Sequence, residues 1–303
     1  MIYKNRKIPI ELDVLSFLQS RVKMNPQDRQ HYIRLKKGFE GETQFDQLME
    51  SLDCDYLILN DLMLDHQDTV FQLDSLLITP EKLILYEIKN YQGEFVLEDD
   101  RLYKLPQQEL VNPLHQLGRT VPLLKQLLRK IGFNIPIQPY VVFVNPNFTL
   151  FIPKPNPSII LPTQINHHIN QLNNMTSNLK PTHHQLAKQL CELHHTQSRF
   201  TKIPTYPYEK IKRGIFCSEC GGGELTLEGK GRNLYCGICK YCESADQAVV
   251  RLAKSLQILF PDKQLTTSLI VEWSNGLITQ KRTKRILDSN FKIKGTNRWR
   301  YYE

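Results

Sequence analysis

No stretch of the chain reaches the ~18–20 consecutive apolar residues that a membrane-spanning helix needs. The first apolar stretch is broken by Asp13, Ser16 and Gln19, so no secretory leader is expected either. No internal repeat recurs. Cysteine is scarce outside one short segment: five of the seven lie between 217 and 242, leaving only Cys54 and Cys191 elsewhere. That distribution argues against a disulfide framework and for metal binding in a reducing compartment, so a cytoplasmic protein without membrane contact is expected. Cys54 reads as a buried core thiol. Hydrophobic residues at 41% and charged residues at 23% exclude a disordered chain, and 303 residues allow two or three domains.

Acidic residues are in the minority, giving a net charge of +8, and their placement is uneven. Residues 1–35 hold 7 Lys/Arg against 3 Asp/Glu, 36–150 hold 10 against 17, 151–250 hold 11 against 7, and 251–303 hold 11 against 4. A basic C-terminal piece attracts polyanions such as nucleic acid. An acidic core repels them unless its carboxylates hold cations.

Leu12, Leu15 and Leu18 predict a short helical lead. Phe45, Leu48, Met49 and Leu52 predict a helix over about 40–52. Strands follow at 56–59, 69–78 and 83–90, the last two joined by the tight turn Thr79-Pro80-Glu81-Lys82 as an antiparallel hairpin. A further short strand is expected at 94–97. Asn112-Pro113 starts a helix that keeps its apolar period to about Ile131, and 136–144 is a strongly apolar strand. A helix joining two strands of one sheet implies a parallel, right-handed crossover. Pro153, Pro155, Pro157 and Pro162 mark a linker or an irregular edge.

Charges inside two of these apolar strands call for an explanation, because they are expensive to bury unless paired or metal-bound. Glu87 and Lys89 share one face of their strand, and Asp74 lies on its hairpin partner. Two close carboxylates repel, so one stays protonated or a divalent cation bridges them. Such a cation activates water for attack on phosphorus, and Lys89 would steady the charge that develops. A cross-strand ion pair on an exposed face is the plainer reading of the same residues.

Gly38-Phe39-Glu40-Gly41-Glu42, Asp74, Glu87-Ile88-Lys89-Asn90-Tyr91-Gln92-Gly93 and Asn112-Pro113-Leu114-His115-Gln116 stand in a fixed order. In that order and spacing, over about residues 36–150, the chain resembles the nuclease-related domain, NERD, of the PD-(D/E)XK nuclease-like superfamily. The resemblance implies an α/β fold with a restriction-endonuclease-like core, a mixed sheet in the order α-β-β-β-α-β. It also implies a central triad of Asp74, Glu87 and Lys89, with Glu42 as an accessory metal ligand and Gln116 orienting substrate or water. Mg²⁺ or Mn²⁺ would be the catalytic ion.

Cys217-x₂-Cys220 and Cys236-x₂-Cys239, fifteen residues apart, can place four thiolates around one Zn²⁺, and a closed four-sulfur site is structural rather than catalytic. The pattern resembles a zinc ribbon. Cys242 offers a fifth thiol that could replace Cys239. His183-His184 and His194-His195 lie eleven residues apart, and Cys191 with His195 has chelating spacing, though polar tracts of this kind are usually solvated. Downstream, three helices and a hairpin resemble a winged helix-turn-helix. Lys281, Arg282, Lys284 and Arg285 would line its recognition helix, with Arg298 and Arg300 on the wing.

The expected organisation is thus a helical lead (1–35), a nuclease-like domain (36–150), a helical Pro-rich extension (151–212), a zinc ribbon (213–243) and a small basic winged-helix-like domain (244–303). The expected function is metal-dependent hydrolysis of nucleic-acid phosphodiesters, DNA in preference to RNA. The alternative is a non-catalytic nucleic-acid-binding or regulatory protein that keeps the nuclease fold as a scaffold.

Overall fold

The computed structural model describes all residues except 176–177, 196–203, 228–230 and 297–298. The chain divides into two compact units: one holds residues 1–7 and 34–200, the other 8–33 and 201–303.

The chain opens with β1 (Ile2–Lys4), α1 (Ile10–Gln19) and α2 (Pro26–Met49). The helix expected at 40–52 therefore begins much earlier. Asn25 supplies the start signal: its Oδ1 accepts the Asp28 N–H at 2.8 Å, with Pro26 in the first turn. The N-terminal stretch also carries a strand that its helical pattern did not reveal, β1, paired parallel to β2 (Leu57–His66).

β3 (Thr69–Ile78) and β4 (Leu83–Lys89) form the expected antiparallel hairpin. Its turn is closed by Thr79 Oγ1, which accepts the Lys82 N–H at 3.2 Å. β5 (Gly93–Glu98), β6 (Arg101–Lys104) and β7 (Gln108–Leu110) come next. α3 (Pro113–Lys130) then crosses to β8 (Ile137–Phe143), which pairs parallel to β4. Asn112 caps α3, its Oδ1 accepting the Leu114 N–H at 3.0 Å. The proline-rich stretch holds edge structure: β9 (Phe148–Phe151) ends in it and β10 (Ile159–Ile160) extends the main sheet beside β8. The main sheet runs β1-β2-β3-β4-β8-β10, a mixed sheet, and a second, smaller one runs β7-β6-β5-β9.

Helices cover both faces of the main sheet. Leu117, Leu124, Leu127 and Leu128 of α3, with Leu186 and Leu190 of α5 (Pro181–Glu192), pack on the face shown by Leu83 and Leu85. Phe45 and Met49 of α2, with Ile165 and Ile169 of α4 (Ile165–Asn173), cover the face shown by Ile84 and Tyr86.

The edge of β2 is closed piecewise. β1 pairs with its first residues, the Lys4 ammonium donates to the Asn60 and Asp61 carbonyls at 2.7 Å each, and the segment after α5 completes it. There His195 N–H donates to the Met63 carbonyl at 2.9 Å and Met63 N–H donates to His194 Nδ1 at 3.0 Å. α5 ends at Glu192, so the two histidine pairs do not share one helix face.

In the second unit, β11 (Leu225–Leu227), β12 (Asn233–Cys236) and β13 (Cys242–Ser244) form an antiparallel sheet. α6 (Ala245–Leu259), α7 (Thr267–Trp273) and α8 (Gln280–Asn290) follow, then the short hairpin β14 (Ile293–Lys294) and β15 (Tyr301–Tyr302). Ser244, Thr266 and Thr279 cap the three helices. Val14 and Leu18 of α1 join the core of this unit with Leu252, Leu256 and Trp273. Arg21 fastens the same region, donating to the Lys212 and Gly214 carbonyls at 2.7 Å each. Among the described residues, no helix is long and apolar enough to cross a membrane.

Candidate functional site

The regular alternation of β2 and β3 breaks at one place. The cross-strand pairs Leu59–Leu76 and Leu62–Leu73 belong to the same core, although two residues intervene on each strand. Those intervening residues are Asn60-Asp61 and Asp74-Ser75, and Asp61 takes a positive φ of 53°. The β3–β4 ladder stops beside the break, at the Ser75–Tyr86 pair. The Asp74 carboxylate takes over from the missing backbone acceptor, with Oδ2 accepting the Ile88 N–H at 2.8 Å. Local irregularity thus brings Asp74 onto the end of β4.

Glu87 keeps the parity of Leu83 and Leu85, so it points to the face covered by α3, and it is buried. Lys89, two residues on, donates from Nζ to Glu87 Oε1 at 2.6 Å. Burial pushes the Glu87 carboxyl up to about 7, the Asp74 charge adds to this, and Lys89 opposes it. Burial also raises Asp74, against Lys89 and the Ile88 N–H. Lys89 is raised, because the two carboxylates outweigh the desolvation of its ammonium.

Glu42 of α2 joins the cluster with a partner that sequence reasoning missed. Arg6 donates to Glu42 Oε2 at 2.7 Å, to the two Asp46 oxygens at 2.9 and 3.1 Å, and to the Asp74 carbonyl at 2.8 Å. Burial and the nearby Asp74 charge still lift Glu42 to about 7. α2 approaches β4 at Gly41, where a Cβ would lie 2.4 Å from Asn90 Cβ. Asn90 in turn donates to the Lys37 carbonyl and accepts from Asn145, at 2.8 Å each. Gln116 lies in the first turn of α3, partly buried, and among the described residues no hydrogen bond ties it to Asp74, Glu87 or Lys89.

Carboxylate oxygens are the donors a hard divalent cation takes, but among the described residues only four cysteines of the second unit bring three or more ligand atoms within 4.8 Å of one another. Burial is the chief cause of the raised proton affinity of Glu42, Asp74 and Glu87, and the Asp74 charge adds to it at the two glutamates.

In the second unit, the sulfurs of Cys217, Cys220, Cys236 and Cys239 all lie within 4.8 Å of one another. Cys217–Cys239 and Cys220–Cys236 are each 3.6 Å apart, close to the roughly 3.8 Å edge of a tetrahedron with 2.3 Å metal–sulfur bonds. Cys242, at the start of β13, lies outside this group, so Cys239 completes it. At Gly223 a Cβ would lie 2.8 Å from Cys236 Sγ, so the knuckle closes only over a glycine. The Cys239 N–H helps draw the Cys236 thiol down to about 6, favouring the thiolate a metal needs. This cluster is compatible with a structural zinc.

The predicted nucleic-acid-binding cations divide into two sets. Arg282 donates to the Gly231 and Arg232 carbonyls and to Asp246, and Arg285 also pairs with Asp246. Arg300 pairs with Asp288. Lys281 and Lys284 are exposed, and Arg298 lies outside the described residues. Arg232, Asp246, Thr279, Lys281, Arg282 and Arg285 line a groove of about 860 Å³.

A mixed sheet sandwiched by helices, with carboxylates and a lysine gathered at the broken end of its central hairpin, is consistent with a nuclease-like fold. Residues 37–144 match the family model described as the nuclease-related domain, NERD. The match spans Glu42, Asp74, Glu87, Lys89 and Gln116 and leaves Arg6 outside. No curated protein and no solved structure matches the chain.

Proposed function

We propose that the chain is a divalent-metal-dependent nuclease that hydrolyses phosphodiester bonds of nucleic acid. One observation carries this reading: Lys89 Nζ, the Glu87 carboxylate and the Asp74 carboxylate gather at the end of β4, inside the NERD segment. Asp74 and Glu87 would hold Mg²⁺ or Mn²⁺, which supplies a Lewis acid and a water of lowered pKa when bound. Lys89 keeps its proton at neutral pH and offers it to the charge that develops on the phosphoryl oxygens. Gln116, on the helix covering that face, would orient substrate or water. The core would be of the PD-(D/E)XK type, over about residues 36–150.

The four-cysteine sheet would be a zinc ribbon over about 213–243, holding Zn²⁺ for folding rather than chemistry. The three helices and hairpin of 244–303 would be a winged-helix-like module that holds DNA through Lys281 and Lys284. The basic balance of that segment, 11 Lys/Arg against 4 Asp/Glu over 251–303, supports this partner.

The test is cleavage of single- and double-stranded DNA and RNA by the full chain with Mg²⁺ or Mn²⁺. Lys89→Ala should cut at least ~10²-fold more slowly while retaining nucleic-acid affinity. If the wild-type chain binds nucleic acid but cuts none of these, the nuclease reading fails, and a non-catalytic binding protein on a nuclease scaffold remains.

A further inference from the structure

The acidic cluster already contains a cation that belongs to the chain. The Arg6 side chain is 4% exposed, and its guanidinium is shared among Glu42, both oxygens of Asp46 and the Asp74 carbonyl. A guanidinium does not lose its proton in a protein, so Arg6 stays a cation at any ordinary pH. Displacing it would leave a buried charge unpaired, which is strongly unfavourable.

A two-ion site places its metals about 3.5–4 Å apart with carboxylates reaching both. Here the carboxylates on the α2 side of Asp74 are already committed to Arg6.

We propose that Arg6 is the cluster's own second cation: it holds Glu42 away from metal, so that the cluster takes one divalent ion, between Asp74 and Glu87. This rests on the metal-dependent reading given above. Arg6 comes from outside the NERD segment, so the N-terminal residues complete the site and Arg6 acts as a positioning residue.

The experiment is titration of the full chain, as purified, with Mn²⁺ alone, read by calorimetry and by the electron-spin signal of free Mn²⁺. Mn²⁺ is a hard ion and does not displace a thiolate-held zinc. Wild type should bind one Mn²⁺ per chain. Asp74→Asn should weaken that site at least ~10-fold, and Glu42→Gln should leave it within about twofold of wild type, where a lost ligand would cost ~10–100-fold. Arg6→Met should admit a second Mn²⁺. Should that variant not fold, the Glu42→Gln result decides. Two ions in wild type, a Glu42→Gln loss matching that of Asp74→Asn, or a folded Arg6→Met that still takes one ion would each overturn the proposal while leaving the nuclease reading intact. No Mn²⁺ uptake by wild type would overturn both.

Discussion

His168 shows how one side chain on the helical face ties local chemistry to stability. Its Nε2 lies 2.8 Å from Tyr86 Oη, and its ring packs edge-on to Tyr86 and Tyr140. Burial, more than the nearby Lys82 charge, drives its pKa down to about 4. The unfolded chain therefore takes up the proton first. The stabilisation is whole above the ordinary value near 6.5 and is lost as pH falls through about 4. The stability difference between wild type and His168→Phe, from urea unfolding, should be largest above pH 7 and shrink on acidification to pH 4. A difference independent of pH would refute this. The carboxyls of Glu42, Asp74 and Glu87 titrate in the opposite sense, being raised in the folded state, and cancel in that subtraction. At this scale Asp74, Glu87 and Lys89 were legible because charges inside apolar strands demand a reason. Arg6 was not. It sits in a stretch without periodicity, and its partners are 36, 40 and 68 residues away.

Between elements, the fit of α2 against β4 depends on a missing methyl group. Gly41→Ala would drive a Cβ into Asn90, and it should cost ~1–3 kcal/mol in urea unfolding. Gly38→Ala, one turn earlier with nothing within 4 Å, should instead stabilise by ~0.5–1 kcal/mol, as helix propensity alone dictates. Equal effects at the two positions would remove the packing argument. On α8, the exposed lysines and the engaged arginine should separate in the same way. Lys281→Ala with Lys284→Ala should reduce the salt slope of duplex-DNA binding by ~2, at about 0.9 per phosphate contact, with little change in melting temperature. Arg282→Ala should chiefly lower the melting temperature, because its guanidinium ties α8 to the Gly231 and Arg232 carbonyls. β3, β4, β8 and the start of α3 at Asn112 could be read from the chain, but of β2 only the first residues, 56–59, since its later charges at Asp61 and Asp65 hid the run to His66. Most of the second sheet could not, since β6, β7 and β9 are three or four residues long with too little alternation to register.

At the scale of the whole chain, sequence order and spatial order part company. Residues 8–33 belong with 201–303, and the division falls within α2. A linear reading had no means to see this: the apolar stripe of α1 names a buried face but not the residues, more than two hundred positions away, that bury it. Stripping metal with a strong zinc chelator should speed amide exchange across residues 215–244 while the amides of β2–β4 keep their protection. Uniform loss of protection, or none, would contradict a zinc that serves one unit's folding. The margin of β2 has a consequence of its own. Three unlike devices (a two-residue ladder, an ammonium and a pair of imidazole-bearing residues) occupy backbone groups that would otherwise recruit a strand from another molecule. The last of these comes from residues 194–195, far from the NERD segment. A fragment cut to that segment alone would therefore bare a sticky border, and its poor solubility would reflect the cut rather than the domain.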